Sequence, residues 1–293
     1  MHFSMKGRFA PSPTGPLHFG SLLAAVASYL DMRSRGGQWL VRIEDLDPPR
    51  QQPGASDDIL RTLEAYQLHW DGDVRYQSQR SDAYQQALQQ LRQQQLAFPC
   101  RCSRKQLAGR PHAGICNSAT ANDTDMAWRF LCPSGELSFE DQYQGHYQAH
   151  LADLGDFVIR RREGLWSYQL AVVVDDADQG ITHITRGIDL IDSTPMQLLL
   201  QQALELPTPV YAHLPVALEP NGQKLSKQNL AQPIEVDASG GTLWQVLDWL
   251  GQQPPKALQQ AGNAALLAWG CEHWQPDALA GQQAKPAPAA FRH

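Results

Sequence analysis

Residues 8–21, RFAPSPTGPLHFGS, could bind phosphate, because this proline- and glycine-rich turn leads directly into an apolar run with helical spacing. A helix N-terminus offers unpaired backbone N–H groups and a partial positive charge, so phosphate is favoured there. His18 would lie beside such a ligand, and Gly20 would let the backbone approach it closely. Taken alone, the same pattern also fits an ordinary turn before a helix.

A second segment that could act on phosphate is KLSKQ, at residues 224–228. Lys224 and Lys227, three positions apart on a loop, could place two ammonium groups on a triphosphate. Fixed cations of this kind stabilise the charge that develops on a leaving pyrophosphate. Lysines on a surface loop are the commoner explanation of such a pentapeptide by itself.

Groups suited to an amino acid or another carboxylate occur between these segments. The run YQLAVVVDD (168–176) is continuous and apolar, and predicts a buried strand over 166–174 that ends in two carboxylates at the rim of a sheet. Capping of the next turn is the alternative role for that acidic pair. Farther along, Arg186 has a guanidinium that can bind a carboxylate through two parallel hydrogen bonds.

The elements that must position these groups begin with a strand at 5–10, a helix at 21–35 and a strand at 38–43. This order predicts a right-handed βαβ unit in a parallel sheet. Ligands bind beyond the carboxyl ends of such strands, so the loop at 8–20 and Glu44 should share one rim. Further helices are predicted over 56–67, 81–96, 194–206, 242–251 and 255–270, further strands over 157–162 and 210–218, and a frayed end over the last dozen residues.

Composition narrows the class of protein. The chain has 293 residues, 42% of them hydrophobic and 18% charged, with a net charge of −6. It contains no apolar run long enough to span a membrane and no apolar signal-peptide core, so we expect a cytoplasmic protein without a membrane partner. The five cysteines are odd in number and three are crowded together, which favours metal binding over disulfides.

The segments together resemble class I glutamyl-tRNA synthetases. The His-x-Gly-His element of that family is represented by His18-Phe-Gly-Ser21, and the Lys-Met-Ser-Lys-Ser loop by residues 224–228, in the expected order. The run at 168–195 looks like the family's amino-acid pocket, and the resemblance covers roughly residues 5–235. It implies an α/β fold with a Rossmann-type class I catalytic domain.

The resemblance also implies a reaction and its residues. The glutamate carboxylate would attack the α-phosphate of ATP, which Mg²⁺ accompanies, and give an acyl-adenylate and pyrophosphate without a covalent enzyme nucleophile. The catalytic residues would be His18, Gly20, Lys224 and Lys227, of which His18, Gly20 and Lys227 bind ATP. L-glutamate would be bound by Arg8, Ala10, Ser12, Glu44, Tyr168 and Arg186, with Glu44 suited to the ammonium group.

A structural zinc ion, one per chain, is a further expectation from the resemblance. Some truncated relatives hold zinc with Cys-x-Cys, a tyrosine and a cysteine four residues after it. Here His112 takes the tyrosine position, so the predicted ligands are Cys100, Cys102, His112 and Cys116. Free thiols with a surface histidine are the alternative. The remaining two cysteines, Cys132 and Cys271, are predicted to be ordinary buried thiols.

The domain prediction follows the same family. Only about sixty-five residues come after the KLSKQ segment, which leaves no room for an anticodon-binding domain. We predict a first half of the nucleotide-binding catalytic domain at 1–97, a zinc-containing insertion facing the RNA at 98–156 and a second catalytic half at 157–215. The KLSKQ loop and a small helical C-terminal region would occupy 216–293.

This organisation resembles the truncated bacterial paralogues of the family. In that branch glutamate is transferred to the queuosine base in the anticodon of tRNA(Asp), which would be the RNA partner of a protein we expect to be a monomer. One alternative is a minimal synthetase that charges a tRNA 3′ end or another carrier. An alternative of another class is a non-catalytic regulatory module that binds glutamate and ATP.

Overall fold

The helices and strands alternate along most of the chain in a computed structural model, which describes residues 5–114, 126–225, 233–235 and 238–292. Its strands are β1 (Lys6–Phe9), β2 (Gln38–Ile43), β3 (Arg75–Tyr76), β4 (Ala97–Cys100), β5 (Ala127–Phe130), β6 (Glu136–Asp141), β7 (Gly145–His150), β8 (Phe157–Arg160), β9 (His183–Gly187), β10 (Val210–Leu214), β11 (Val216–Leu218) and β12 (Ala284–Pro286). Its helices are α1 (Phe19–Arg33), α2 (Ala55–Ala65), α3 (Ser81–Gln93), α4 (Arg104–Leu107), α5 (Leu151–Leu154), α6 (Tyr168–Gln179), α7 (Thr194–Ala203), α8 (Gly241–Trp249) and α9 (Asn263–His273).

The centre of the fold is a parallel sheet. Strand β1 pairs with β2, and β2 pairs with β3, all in parallel. Thr182, directly before β9, donates its backbone N–H to the carbonyl oxygen of Lys6 at 2.9 Å, so β9 lies beside β1. Strand β10 follows β9, again in parallel. The predicted βαβ unit is therefore confirmed, and the carboxyl ends of the parallel strands meet at one edge.

Helix α1 packs against this sheet on one side and against α8 and α9 on the other. Leu22, Ala25 and Ala27 point in different directions around it and are fully buried, so the helix is buried around most of its circumference. The fit to β1 is close: a Cβ atom at Gly7 would lie 2.6 Å from Cγ of Met32. Packing of this density fixes where the N-terminus of α1 meets the sheet edge.

The predicted strand at 166–174 is wrong, because the valine-rich run lies in α6. Ser167 caps this helix by accepting a hydrogen bond from the backbone N–H of Leu170 at 3.4 Å, and Gly180 ends it with a φ of 67°. Val172 and Val173 are buried in a second core with α3 and α7. Burial among helices outweighs the preference of branched side chains for strands.

Strands β4 to β8, most of which fall in the predicted insertion, form two antiparallel units. Strands β4, β5 and β8 make a three-stranded sheet, and β6 and β7 form a hairpin. Strand β6 also meets β10, where Asp141 pairs with Tyr211. The hairpin therefore extends the central parallel sheet, and the Asp141 carboxylate lies beside His213 on β10.

The segment at 284–291 is ordered, so the predicted fraying is wrong for these residues. Strand β12 pairs in parallel with β11, and the ring of Phe291 stacks on that of Phe19 with centroids 4.4 Å apart. Backbone pairing and aromatic burial outweigh the bias of an Ala/Pro/Gln-rich composition toward disorder. The last predicted helix starts later than expected, at Asn263, after two prolines and a glycine. None of the helices within the described ranges is long and apolar enough to cross a bilayer.

Candidate active site

A cavity of about 700 Å³ opens at the carboxyl edge of β1, β2 and β9. All six residues predicted to bind glutamate line it, together with His18 and Lys224. Gly20 lines an adjoining cavity of about 180 Å³ that shares both of those residues. We call the part around Arg8, Glu44, Tyr168 and Arg186 the amino-acid half, and the part around His18, Gly20 and Lys224 the phosphate half.

Arg8 is fixed in the amino-acid half by a buried carboxylate. Its Nε donates to Oδ1 of Asp176 at 3.0 Å, and Arg42 makes an ion pair with the same oxygen at 2.8 Å. Burial alone would raise the pKa of Asp176, but the two guanidinium groups outweigh it and hold that pKa below its usual value. Asp176 is therefore ionised and holds the Arg8 side chain in place. Its single negative charge does not neutralise the guanidinium groups of both Arg8 and Arg42.

Glu44 is the second carboxylate of this half, and its environment is different. Burial raises its pKa to about 7, although Arg42 and Arg8 oppose the shift. Its Oε1 is buried and makes no hydrogen bond with any residue the structure describes, and the nearest cation is Nη2 of Arg42 at 3.6 Å. An ammonium group in the cavity would supply the missing donor and favour the ionised carboxylate.

Arg186 is held by four neighbours. Its Nε donates to Nε2 of His213 at 3.0 Å, and its Nη1 donates to the Tyr168 hydroxyl at 3.1 Å. Its Nη2 donates to Oγ1 of Thr194 at 2.8 Å and to the carbonyl oxygen of Leu190 at 3.4 Å. Since a guanidinium has five N–H groups, the neighbours in the described ranges leave one on Nη1 for a ligand.

In the phosphate half, His18 caps helix α1. Its Nδ1 accepts a hydrogen bond from the backbone N–H of Ser21 at 3.3 Å, so the neutral ring carries its proton on Nε2. That proton can be donated to a phosphate oxygen. A Cβ atom on Gly20 would lie 3.1 Å from the imidazole, tighter than most real contacts, so glycine allows the ring its position.

Lys224 reaches the same half from a hairpin that starts at β11, where it pairs with Leu218. Its ammonium group lies 2.6 Å from Oδ2 of Asp189, and both side chains are about two-fifths exposed. Asp189 lies in a 3-10 segment, Ile188–Ser193, between β9 and α7. Lys227 lies outside the described residues.

The predicted zinc ligands Cys100, Cys102 and His112 come together away from this cavity. Their ligand atoms all lie within 4.8 Å of one another, and Sγ of Cys100 is 3.3 Å from Nε2 of His112. Nδ1 of His112 lies 2.9 Å from Oδ2 of Asp156, an arrangement that orients a metal-binding imidazole. Cys116 lies outside the described residues. Cys132 and Cys271, predicted to be buried, are each half-buried free thiols.

Sequence reasoning missed the residues that hold the cavity's arginines. Asp176 was expected at the end of a strand, yet it lies inside α6 and forms a buried ion pair with Arg8. Arg42, Asp141 and His213 were not singled out. A charged residue inside the apolar strand QWLVRI was the available signal for Arg42, since buried arginines require a partner. No local signal joins Asp141 to His213.

Comparisons with known proteins identify the family and the fold of the chain. The family model for the catalytic domain of class I tRNA synthetases (E and Q) matches residues 4–242. A glutamate tRNA ligase structure from Elizabethkingia meningosepticum superposes with a TM-score of 0.81 at 23% identity, covering 97% of this chain and 68% of that one. This likeness shows the shared fold.

Two curated relatives are much closer in sequence. A glutamyl-Q tRNA(Asp) synthetase from Dechloromonas aromatica is 51% identical over 99% of this chain and all of its own. One from Pseudomonas aeruginosa strain PAO1 is 52% identical over 94% of each chain. The chain therefore belongs to the class I tRNA synthetases (E and Q), and within them to the family of the glutamyl-Q tRNA(Asp) synthetases.

Proposed function

We propose that this enzyme, a ligase of that family, activates L-glutamate with ATP and transfers it to the queuosine base in the anticodon of tRNA(Asp). The observation that carries the proposal is that one cavity is lined both by Arg8, Glu44 and Arg186 and by His18 and Lys224. The family membership supports the same activity.

The amino-acid half suits glutamate, which has two carboxylates and one ammonium group. Arg8 and Arg186 bind the carboxylates, with the Tyr168 hydroxyl beside Arg186. Glu44 binds the ammonium group through its buried Oε1. Ala10 and Ser12 border the same space on the loop after β1. Each charge of the ligand thus meets a fixed group of opposite sign.

The phosphate half stabilises the chemical step. One glutamate carboxylate oxygen attacks the α-phosphorus of ATP, and the bond to the pyrophosphate oxygen breaks. His18 Nε2–H, the N-terminus of α1 and Lys224 stabilise the negative charge of the phosphates, with Lys227 in the same role. Mg²⁺ accompanies the triphosphate as a shield for its charge.

Transfer follows from the adenylate. A hydroxyl oxygen of queuosine attacks the acyl carbon, the bond to AMP breaks, and the hydroxyl proton is released. No enzyme nucleophile is needed, so the residues act by orientation and by charge. This mechanism serves any hydroxyl acceptor, and the choice of queuosine rests on the family.

We also propose a structural zinc ion bound by Cys100, Cys102, His112 and Cys116. Two thiols and an imidazole within 4.8 Å suit the ligand spacing of a tetrahedral site, and Asp156 orients the imidazole. Nε of Arg129 donates to Sγ of Cys100 at 3.2 Å, which offsets thiolate charge. Elemental analysis should find about one zinc ion per chain in the wild-type protein and less in Cys102→Ser. An equal zinc content in the wild-type protein and in Cys102→Ser would contradict the site.

The test of the function uses radiolabelled glutamate, ATP and tRNA(Asp), prepared with or without queuosine and with the 3′-terminal adenosine present or removed. The proposal expects label only on RNA that contains queuosine, whether or not that adenosine is present, and expects it in the anticodon fragment after nuclease digestion. Label that requires the terminal adenosine and ignores queuosine would instead identify a minimal aminoacyl-tRNA synthetase. Binding of glutamate and ATP without adenylate formation would identify a regulatory module.

A further inference from the structure

We propose that Asp141 and His213 are positioning residues that set the orientation of Arg186 toward the substrate carboxylate. The proposal rests on the proposed function, because it concerns how the amino-acid half recognises glutamate. Neither residue lines the cavity, so each would act through Arg186.

The three side chains form a buried line. Nε of Arg186 donates to Nε2 of His213 at 3.0 Å, and Nδ1 of His213 lies 2.5 Å from Oδ2 of Asp141. His213 is fully buried, and the other two are at most 5% exposed. Buried polar groups arranged in this way act as a unit, since each depends on its neighbour for a partner.

The order of donors along this line is fixed by chemistry. A guanidinium can only donate, so Nε2 of His213 must accept. The ring proton must then lie on Nδ1, where it is donated to Asp141. Burial, with the nearby Arg186, lowers the pKa of His213 despite the opposing effect of Asp141, so the ring is neutral and keeps this acceptor.

Asp141 is itself held firmly. Its Oδ1 accepts hydrogen bonds from the backbone N–H groups of His213, Tyr143 and Gln144, each at 3.0 Å. Burial would raise the pKa of Asp141, but the hydrogen bonds from the His213 ring and from the backbone N–H groups outweigh it and hold that pKa below its usual value. One carboxylate oxygen thus anchors the group to the backbone, and the other is free to orient the imidazole.

The source of Asp141 gives the hairpin a role in the amino-acid half. Asp141 ends β6, and Gln144 in the hairpin turn donates from Nε2 to the carbonyl oxygen of His213 at 2.7 Å. The β6–β7 hairpin therefore holds His213 by hydrogen bonds to its imidazole, its backbone N–H and its carbonyl oxygen. The hairpin thus sets the position of Arg186 through His213, while Tyr168 and Thr194 accept hydrogen bonds from the two terminal nitrogens of the guanidinium.

The decisive variant is Asp141→Asn, which keeps the size of the side chain. Its amide oxygen should stay with the three backbone N–H groups, which places the NH₂ group against Nδ1 of His213. The ring proton would then move to Nε2, where it faces the N–H of Arg186. We expect the KM for glutamate to rise about ten- to a hundredfold, and the KM for ATP to stay within about twofold.

The matched control is Glu140→Gln on the same strand, whose exposed carboxylate contacts only His146 among the residues described.

A second pair of variants, both at His213, separates the positioning of Arg186 from the packing of the imidazole. In His213→Gln the amide oxygen can still accept from Arg186, whereas the shorter His213→Asn cannot reach it, so the glutamine variant should retain the lower KM. Equal KM values for D141N and E140Q, or for the two His213 variants, would overturn the proposal.

A readout independent of activity is the ¹⁵N NMR signature of the His213 ring, which distinguishes the two neutral tautomers. We expect the Nδ1–H form in the wild-type protein and the Nε2–H form in D141N. An unchanged tautomer in D141N would overturn the inference. Wild-type transfer of glutamate is measured first, since its absence would overturn the proposed function and leave the tautomer result to decide this inference.

Discussion

The two halves of the cavity differ in how firmly their charged side chains are held. Arg8 and Arg186 are almost fully buried and are fixed by partners on α6, β10 and α7. Lys224 is about two-fifths exposed and extends from a hairpin toward an equally exposed carboxylate. On the proposed function, the amino-acid half is therefore organised before glutamate arrives, whereas in the phosphate half an ATP phosphate replaces Asp189 as the partner of Lys224.

This difference has an energetic meaning. A buried charge that loses its partner costs several kcal/mol, so the amino-acid half tolerates little change. An exposed ion pair contributes at most about 1 kcal/mol, so a triphosphate can replace Asp189 on Lys224 at small cost. Substitutions should consequently have large effects in the first half and graded effects in the second.

The largest effect is expected from Arg186→Gln. Removing the guanidinium takes away the group proposed to bind one glutamate carboxylate, and it removes the hydrogen bonds that Arg186 donates to His213 and Thr194. We expect kcat/KM for glutamate to fall roughly a hundred- to a thousandfold. Steady-state kinetics with glutamate as the varied substrate measure this, and Arg61→Gln on the exposed face of α2 is the control. A loss below tenfold would mean that this half is less organised than its contacts indicate.

Gly20→Ala tests the phosphate half next. The added methyl group must displace the His18 ring, which lies 3.1 Å from the Cβ position. A shift of that kind costs roughly ten- to a hundredfold in the rate of adenylate formation. Glutamate binding measured by calorimetry should be unchanged, which separates the halves. Ser34→Ala, at the other end of α1, is the control, and weakened glutamate binding in G20A would contradict the separation.

Glu44 predicts a pH dependence in the amino-acid half. Its pKa of about 7 means that much of the carboxyl is protonated in the empty cavity, whereas the ligand ammonium group requires the ionised form. Binding therefore releases a proton, and glutamate affinity should rise about tenfold from pH 6 to pH 8 and then level off. Titration calorimetry in buffers of different ionisation enthalpy measures the proton. Binding by Glu44→Gln should be weaker and independent of pH in this range, and proton uptake by the wild type would refute the assignment.

The smallest effect belongs to Asp189→Asn. The variant removes the anion that competes with phosphate for Lys224, so ATP should bind about two- to fivefold more tightly. Raising the salt concentration should shrink the difference, because the pair is exposed. Fluorescence titration with an ATP analogue gives both values. Weaker ATP binding by the variant would instead assign Asp189 a direct role in holding the nucleotide.

Much of the cavity could be predicted from sequence, because its residues follow strand ends or lie at a helix start. The loop after β1, Glu44 after β2 and His18 before α1 are local features of one βαβ unit. The α6 prediction failed since three adjacent valines favour a strand locally. Ser167 and Gly180 are typical helix-capping residues, and the segment between them is too long for a typical buried strand. These two signals together indicate a helix.

The partners of the arginines could not be predicted in the same way. Arg8 and Asp176 are far apart in the sequence, and so are Asp141 and His213. Their pairing depends on how α6 crosses the sheet and on where the hairpin joins β10, which no local pattern encodes. Three-dimensional structure is therefore needed to identify which residue pairs with each buried charged side chain of a site.

The contact between Phe291 and Phe19 joins positions that lie almost the whole described chain apart. During synthesis on the ribosome, α1 emerges long before the strand and ring that brace its first turn. Closure of such a distant contact comes late in folding, because the entropy of ordering the intervening chain must be offset first. The turn beside Phe19, which we propose binds phosphate, thus reaches its final form only after residues 284–291 have been made.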